Sequence, residues 1–217
     1  MTKFKRLIKK SWDTITLYHG TTSETLMGVM ESGYIYPGGY IDKTSNGLFD
    51  SFDEDGYPLP SLAQDGVYLS STEERAEYYA SDAMYNTNKL LPVVLGVVFK
   101  VTVQTDALLP DYDDIAGKFS PEWIQRAKEK LKEKGENPEE YWRQSIHEIE
   151  QVVHVGPIST SEIEGVMFVD DNIIGRGISY KDVEELLEES GIQFHTWMSY
   201  SEATSKFNEF LKKVKKK

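Results

Sequence analysis

The residues of this chain that could do chemistry begin with residues 17–22 (LYHGTT), where His19 stands directly before Gly20. The apolar residues 15–18 predict a short strand, and the residues after them have the spacing of a helix start. An imidazole beside an unhindered main-chain amide and carbonyl can hold a flat polar ligand, such as a ring bearing an amide, because glycine has no side chain to block the approach. A surface histidine that merely precedes a helix explains the same motif equally well.

Two carboxylates form a second candidate group. Glu148 and Glu150 stand immediately before an apolar run, residues 151–156, that predicts a strand. If the strand begins early, side-chain alternation places both carboxylates on one side, and either could act on a ligand. Of the two, we prefer Glu150 as the carboxylate that acts on a ligand, because the apolar run begins directly after it. Glu148 is equally consistent with the last turn of a solvated helix.

Three tyrosines complete the set of candidates. Tyr68 lies in residues 66–70 (GVYLS), which predict a short strand, and Tyr78 and Tyr79 lie on the helix that follows it. Flat aromatic faces suit a cationic ring by stacking and by cation–π attraction. Tyr68 could equally be an ordinary half-buried strand tyrosine, and Tyr79 could be simple core, because it shares the apolar face of its helix.

Local signals predict where the two helices beside these residues begin. Thr21 and Glu24 have capping-box spacing, and the helix that they open ends at Gly33. Ser71 and Glu74 repeat that spacing before the second helix. Residues 34–64 have no sustained periodicity and many turn residues, so we predict a long loop there.

The remaining elements predict an α+β fold. Residues 92–103 (PVVLGVVFKVTV) are β-branched and apolar on both faces, which is typical of a central, buried strand. Further strands are predicted over residues 151–156 and 165–169, and a connecting segment over residues 108–119. Further helices are predicted over residues 120–134, 137–147 and 181–190 and near the C-terminus. Because strands and helices do not alternate regularly, α+β is favoured over a doubly wound sheet.

The amino-acid composition limits the classes of function that we expect for this chain. The chain has 217 residues, no cysteine and a net charge of −12, although both ends are basic and residues 42–65 are acidic. Without cysteine there is neither a disulfide nor a thiolate nucleophile, which suits a cytoplasmic protein. We expect no membrane span and no secretory signal. The negative charge argues weakly against non-specific nucleic-acid binding.

Taken in order, these motifs resemble the His-Tyr-Glu signature of the ADP-ribosyltransferase superfamily, in its diphtheria-toxin and poly(ADP-ribose) polymerase branch. That branch has a His-Gly-(Ser/Thr) strand end, a Gly-(Ile/Val)-Tyr-(Phe/Leu) strand with a helix after it, and a Glu opening a later strand. The resemblance covers residues 15–170, roughly. It implies a split β-sheet core with surrounding helices, in one domain over residues 1–217 with a C-terminal helical extension at 180–217.

The resemblance also implies roles for single residues toward NAD. His19 would bond a ribose hydroxyl and, with Thr21, belong to the cofactor-binding strand end, and Gly20 would hold the nicotinamide carboxamide through its backbone. Tyr68 and Tyr79 would stack on the nicotinamide ring. Tyr78 is the alternative to Tyr79, because it keeps the Ala-x-Tyr spacing from Ala76, whereas Tyr79 keeps the distance of eleven residues from Tyr68.

The catalytic set implied by the resemblance is Glu150, Glu148, His19 and Tyr68. Glu150 would hold the 2′-hydroxyl of the nicotinamide ribose and stabilise the positive charge that develops as nicotinamide leaves. Glu148 would match the first Glu of a Glu-x-Glu pair that positions an acceptor. No metal is required.

The implied activity is mono-ADP-ribosyl transfer from NAD, as substrate, to a protein or nucleic-acid acceptor. One alternative is a non-catalytic module that binds NAD or ADP-ribose. The other is an RNA 2′-phosphotransferase-like enzyme, which is associated with a basic site that Arg126 and Arg176 match poorly.

Overall fold

The structure, a computed structural model, describes residues 14–37, 66–86, 91–111, 139–175 and 178–216. The helix predicted over residues 120–134, most of the loop predicted over residues 34–64, and the N-terminal basic end lie outside the described residues. The strands of the described part are β1 Thr14–Thr22, β2 Tyr34–Ile35, β3 Gly66–Ser70, β4 Val93–Gln104, β5 Leu108–Pro110, β6 Gln151–Val155, β7 Ile158–Ser159 and β8 Ile163–Gly175. The helices are α1 Ser23–Ser32, α2 Glu73–Asn86, α3 Glu139–Ile149, α4 Tyr180–Glu189 and α5 Tyr200–Val214.

Six of these strands form one antiparallel sheet in the order β5-β6-β3-β1-β4-β8, and β2 pairs with β7 in a small second sheet. Helices packed on an antiparallel sheet agree with the α+β prediction. The apolar strand β4 lies between β1 and β8, as its two-sided burial predicted. β4 pairs with β1 from Thr14 to Thr22 without interruption.

The centre of the sheet is weakly joined. Along their described lengths, β1 and β3 share a single residue pair, Tyr18 with Ser70. The sheet therefore consists of two three-stranded halves, β5-β6-β3 and β1-β4-β8, that meet at this pair. The separation of β1 from β3 beyond Tyr18 opens the space that becomes the candidate site.

Apolar side chains cover both faces of β4. Because neighbouring strand residues point to opposite faces, Val98 packs with Ala76 and Ala80 of α2, whereas Val97 and Phe99 belong to the larger core. That larger core also contains residues of α1, α4 and α5. Phe168 of β8 and Phe207 of α5 lie 5.9 Å apart between ring centroids, so the C-terminal helices share the core of the sheet.

Both predicted capping boxes are wrong by one residue. Thr22, not Thr21, is the N-cap of α1, because β1 stays paired with β4 as far as Thr22, whose extended backbone (φ −117°, ψ 165°) cannot be the first helical residue. The Glu24 carboxylate accepts a hydrogen bond from the main-chain N–H of Leu91 instead of closing a box. Before α2, the hydroxyl of Thr72 accepts from the N–H of Arg75.

Other predicted boundaries are confirmed or extended. Gly33 ends α1 in the left-handed conformation (φ 81°), as its position predicted. The strand predicted over residues 165–169 is longer, Ile163–Gly175. Part of the predicted connecting segment after residue 108 forms β5 instead, because it pairs with β6.

Candidate functional site

A cleft of about 520 Å³ lies between the diverging strands β1 and β3 and the helix α2. A volume of this size falls within the range of about 300–1,000 Å³ that is usual for small-molecule sites. The described residues that line the cleft are His19, Gly20, Tyr68, Ser70, Tyr79, Asp82, Ala83, Asp111 and Gln151. The structure thus brings together four of the predicted site residues, which the chain supplies from β1, β3 and α2.

His19 bridges the two strands at the point where they separate. Its Nδ1 atom lies 2.8 Å from the main-chain carbonyl oxygen of Tyr68. A carbonyl can only accept, so Nδ1 carries the proton of this hydrogen bond. The ring stacks on Phe99, its partner on β4, with centroids 6.3 Å apart and an angle of 17°. These contacts fix the orientation of the imidazole at the cleft wall.

The environment keeps His19 neutral. Burial lowers the pKa of its imidazole below the ordinary value of about 6.5, and this effect exceeds the opposing effect of the hydrogen bond to Tyr68. With Nδ1 protonated and the ring neutral, Nε2 has a free lone pair. His19 therefore offers a hydrogen-bond acceptor, suited to a hydroxyl group.

Gly20 is required by the packing of α2 on β1. A Cβ atom at this position would lie 1.9 Å from the carbonyl oxygen of Ala76 and 2.8 Å from the main-chain nitrogen of Ala80. Those neighbours are backbone atoms of a helix and cannot rotate away. The glycine therefore explains how α2 approaches β1 closely enough to close one side of the cleft.

The structure separates the two helix tyrosines. Tyr79 lines the cleft, whereas Tyr78 is 61% exposed and is not among the described residues of the cleft wall. Their rings meet edge to face, with centroids 5.4 Å apart. The guanidinium carbon of Arg75 lies 5.2 Å from the centroid of the Tyr79 ring, a cation–π distance that restrains this ring.

The two predicted carboxylates lie elsewhere. Among the described residues, neither Glu148 nor Glu150 lines the cleft, and both side chains are exposed. α3 continues to Ile149, so Glu148 belongs to the last turn of a helix, which was the alternative to a strand position. Thr21 is also outside the cleft wall: its hydroxyl donates to the hydroxyl of Thr25 at 2.8 Å.

Glu150 has an unusual backbone. Its φ is 59°, in the left-handed region that favours glycine. Its N–H donates to the carbonyl of Ile146 at 3.0 Å, and its carbonyl accepts from the N–H of Ser71 at 2.9 Å. The residue is therefore the turn that carries the chain from α3 into β6, and this turn places Gln151 in the cleft wall.

Five lining residues were not predicted: Ser70, Asp82, Ala83, Asp111 and Gln151. Three of them follow from periodicity, since Ser70 lies two residues after Tyr68 on a strand, and Asp82 and Ala83 lie three and four residues after Tyr79 on a helix. Gln151 and Asp111 could not be found this way, because their positions depend on the pairing of β5, β6 and β3.

A buried serine fixes two of these residues. The hydroxyl of Ser145 donates to the carbonyl of Gln151 at 2.6 Å and accepts from the N–H of Asp111 at 3.1 Å. Ser145, Asp111 and Gln151 are each at most 3% exposed. The ends of β5 and β6 are thereby locked together at the floor of the cleft.

Neither a protein-family model, nor a curated protein, nor a solved structure matches this chain. What the cleft can do is therefore inferred from its own residues. Across the described ranges, no three His, Asp or Glu side chains lie together so as to hold a metal ion. None of the helices in those ranges is long and apolar enough to cross a bilayer.

Proposed function

We propose that this cleft binds NAD and that the protein is a mono-ADP-ribosyltransferase. The observation that carries the proposal is the His19–Tyr68 contact at the strand separation, which places a neutral imidazole beside two tyrosines and a glycine in one cleft. A similar set of residue types was predicted for NAD from the resemblance alone. A cleft wall that combines aromatic faces with oriented polar groups is typical of a cofactor site.

Four of the lining residues have a part in the proposed complex. Nε2 of His19 accepts a hydrogen bond from a ribose hydroxyl, because the bond of Nδ1 to Tyr68 leaves Nε2 as the acceptor. The rings of Tyr68 and Tyr79 stack on the nicotinamide, whose positive charge favours an aromatic face. The backbone of Gly20 holds the carboxamide.

The proposed reaction is a substitution at C1′ of the nicotinamide ribose. The bond from C1′ to the ring nitrogen breaks, and its electron pair leaves with nicotinamide, which becomes neutral. A nucleophilic oxygen or nitrogen of a protein or nucleic-acid acceptor forms the new bond to C1′, and its proton passes to water. Positive charge develops on the ribose during this step, so a fixed negative group nearby would accelerate it.

A second candidate function is NAD binding without turnover. The observation that favours it is the position of Glu150, whose exposed side chain lies outside the described cleft wall. A binding module has no need of a carboxylate at the reacting ribose. The two candidates share the same site and differ in whether nicotinamide is released.

Two measurements on the purified protein separate these candidates: the dissociation constant for NAD by calorimetry, and nicotinamide release with and without cell lysate. Binding with release supports the transferase, and a labelled NAD then marks the acceptor in the lysate. Binding without release under either condition supports the binding module. The absence of both contradicts the proposed NAD site. Glu150→Gln tests the predicted catalytic carboxylate, and Glu148→Gln, two residues away, is its matched control.

A further inference from the structure

We infer that Asp111 supplies the catalytic carboxylate of this cleft, with the amide of Gln151 beside it. This inference rests on the proposed function and names a residue for its reaction. It differs from the expectation that Glu150 has this role. Three observations lead to it: the register of the strands, the burial of Asp111, and the turn at Glu150.

The strand register puts Asp111 in a row with other cleft residues. β5 pairs with β6 up to Pro110 opposite Val152, so one further step places Asp111 opposite Gln151. Gln151 in turn lies opposite Ser70 of β3. Residues directly opposite in an antiparallel pair point to the same face. All three residues of this row line the cleft.

A hydrogen bond of its main chain fixes the position of Asp111. Its main-chain N–H bonds Ser145, whose hydroxyl also bonds the carbonyl of Gln151. The residue is 2% exposed, although it contributes to the cleft wall. A carboxylate that is fixed in a water-poor position acts on developing charge far more strongly than a solvated one, because little solvent screens it.

The other acidic residues fit the role less well. Glu150 is exposed, and its left-handed backbone forms the turn before Gln151. The amide of Gln151 can bond a ribose hydroxyl, but it is neutral and cannot balance a positive charge. Asp82 also lines the cleft, but it is exposed on α2, where water screens its charge.

In the proposed step, the carboxylate of Asp111 faces the ribose as the bond from C1′ to the nicotinamide nitrogen breaks. The electron pair of that bond goes to the ring nitrogen, and the ribose becomes electron-deficient at C1′. Asp111 stabilises this charge electrostatically. The acceptor then supplies the electron pair of the new bond to C1′ and loses its proton to water.

The test compares three single variants of the full chain: Asp111→Asn, Glu150→Gln and Asp106→Asn. Each replaces a carboxylate by the amide of similar shape, and Asp106→Asn is the control for loss of charge, because Asp106 is exposed and is not among the described residues of the cleft wall. The readouts are kcat for nicotinamide release and the dissociation constant for NAD. We expect Asp111→Asn to lower kcat by about 10²–10³-fold, the usual cost of losing one fixed electrostatic group. NAD binding should stay within about threefold, and the other two variants should keep kcat within about threefold.

Several results would overturn the inference. It fails if Asp111→Asn keeps kcat, or if Glu150→Gln loses kcat instead. It also fails if Asp111→Asn loses NAD binding and turnover equally, since that would indicate a structural role. If the unchanged protein binds NAD without turnover, or does not bind it, the proposed transferase fails and this inference fails with it. Asp111→Ser is the second variant if the first does not fold, because it also keeps the main-chain bond to Ser145 and places a smaller side chain in the buried position.

Discussion

The Nδ1 atom of His19 lies 2.8 Å from the carbonyl oxygen of Tyr68 and joins two strands that otherwise meet through one residue pair. One contact thus has two consequences. It connects the two halves of the sheet where they separate. It also fixes the orientation of the ring, and with it the position of the acceptor nitrogen Nε2.

The lowered pKa of His19 predicts that stability depends on pH. The folded protein binds the proton of this imidazole less well than the unfolded chain, so protonation favours unfolding. The contribution is fully favourable above about pH 6.5 and is lost progressively as the pH falls through 6.5 toward the lower folded value. Urea unfolding at pH 5, 6 and 7.5 measures this fall.

His19→Asn is the control for the pH effect. An asparagine amide can still donate to the Tyr68 carbonyl but does not titrate in this range. The difference in unfolding free energy between wild type and His19→Asn should therefore shrink as the pH falls from 7.5 to 5. A difference that is constant over this range would contradict the assignment of a lowered pKa to His19.

Two glycine substitutions should have opposite effects on stability. Gly20→Ala should lower the free energy of unfolding by about 2–3 kcal/mol, because its Cβ would collide with the backbone of α2. Gly28→Ala should raise it by about 0.5–1 kcal/mol, since a Cβ there meets no atom within 4 Å and alanine favours a helix. Chemical denaturation measures both. Equal changes in the free energy of unfolding for the two variants would contradict the close approach of α2 to Gly20.

The two adjacent tyrosines should differ in their effect on ligand binding. Tyr79→Ala should weaken NAD binding about tenfold, because aromatic stacking contributes roughly 1 kcal/mol or more. Tyr78→Ala should change it by less than about twofold, because Tyr78 is 61% exposed and lies outside the described cleft wall. Calorimetric titration with NAD measures both. The reverse order would assign the stacking role to Tyr78.

The left-handed backbone of Glu150 predicts that glycine is more stable there. Glu150→Gly should raise the free energy of unfolding by about 0.5–1 kcal/mol, since the relief of about 1–2 kcal/mol of strain exceeds the added entropy of the unfolded chain. The same change at Glu148, inside α3, should cost about 1 kcal/mol. Thermal and urea unfolding measure the pair. A loss of stability at both positions would contradict the turn described for Glu150.

Local patterns predicted much of the fold and part of the cleft. The strand at Tyr68, the buried strand β4 and the end of α1 at Gly33 follow from side-chain periodicity and from the conformational freedom of glycine. His19 was identified as a candidate because it stands directly before Gly20, where a predicted strand is followed by the start of a helix. The first capping box failed because pairing of β1 with β4 keeps Thr22 in the strand, and a local motif does not record such a tertiary contact.

The floor of the cleft was not predictable in this way. Asp111 and Gln151 are separated by forty residues, and they meet because β5 and β6 pair in one register out of several possible ones. The preference for Glu150 assumed that the strand begins at the first apolar residue after it. The left-handed turn at Glu150 directs its side chain to solvent and brings Gln151 to the cleft. The local sequence does not predict that turn, because the residue is not a glycine.

Nicotinamide release from NAD by the wild-type protein and by His19→Asn tests the central claim most directly. His19→Asn keeps a donor for the Tyr68 carbonyl but removes Nε2, and the amide oxygen, which is bonded directly to Cγ, does not reach the position of that ring nitrogen. Tyr78→Ala controls for surface substitution nearby. We predict release by wild type and by Tyr78→Ala, with at least a tenfold loss in His19→Asn. Release that is equal in all three proteins, or a wild-type protein that neither binds nor cleaves NAD, would contradict the account.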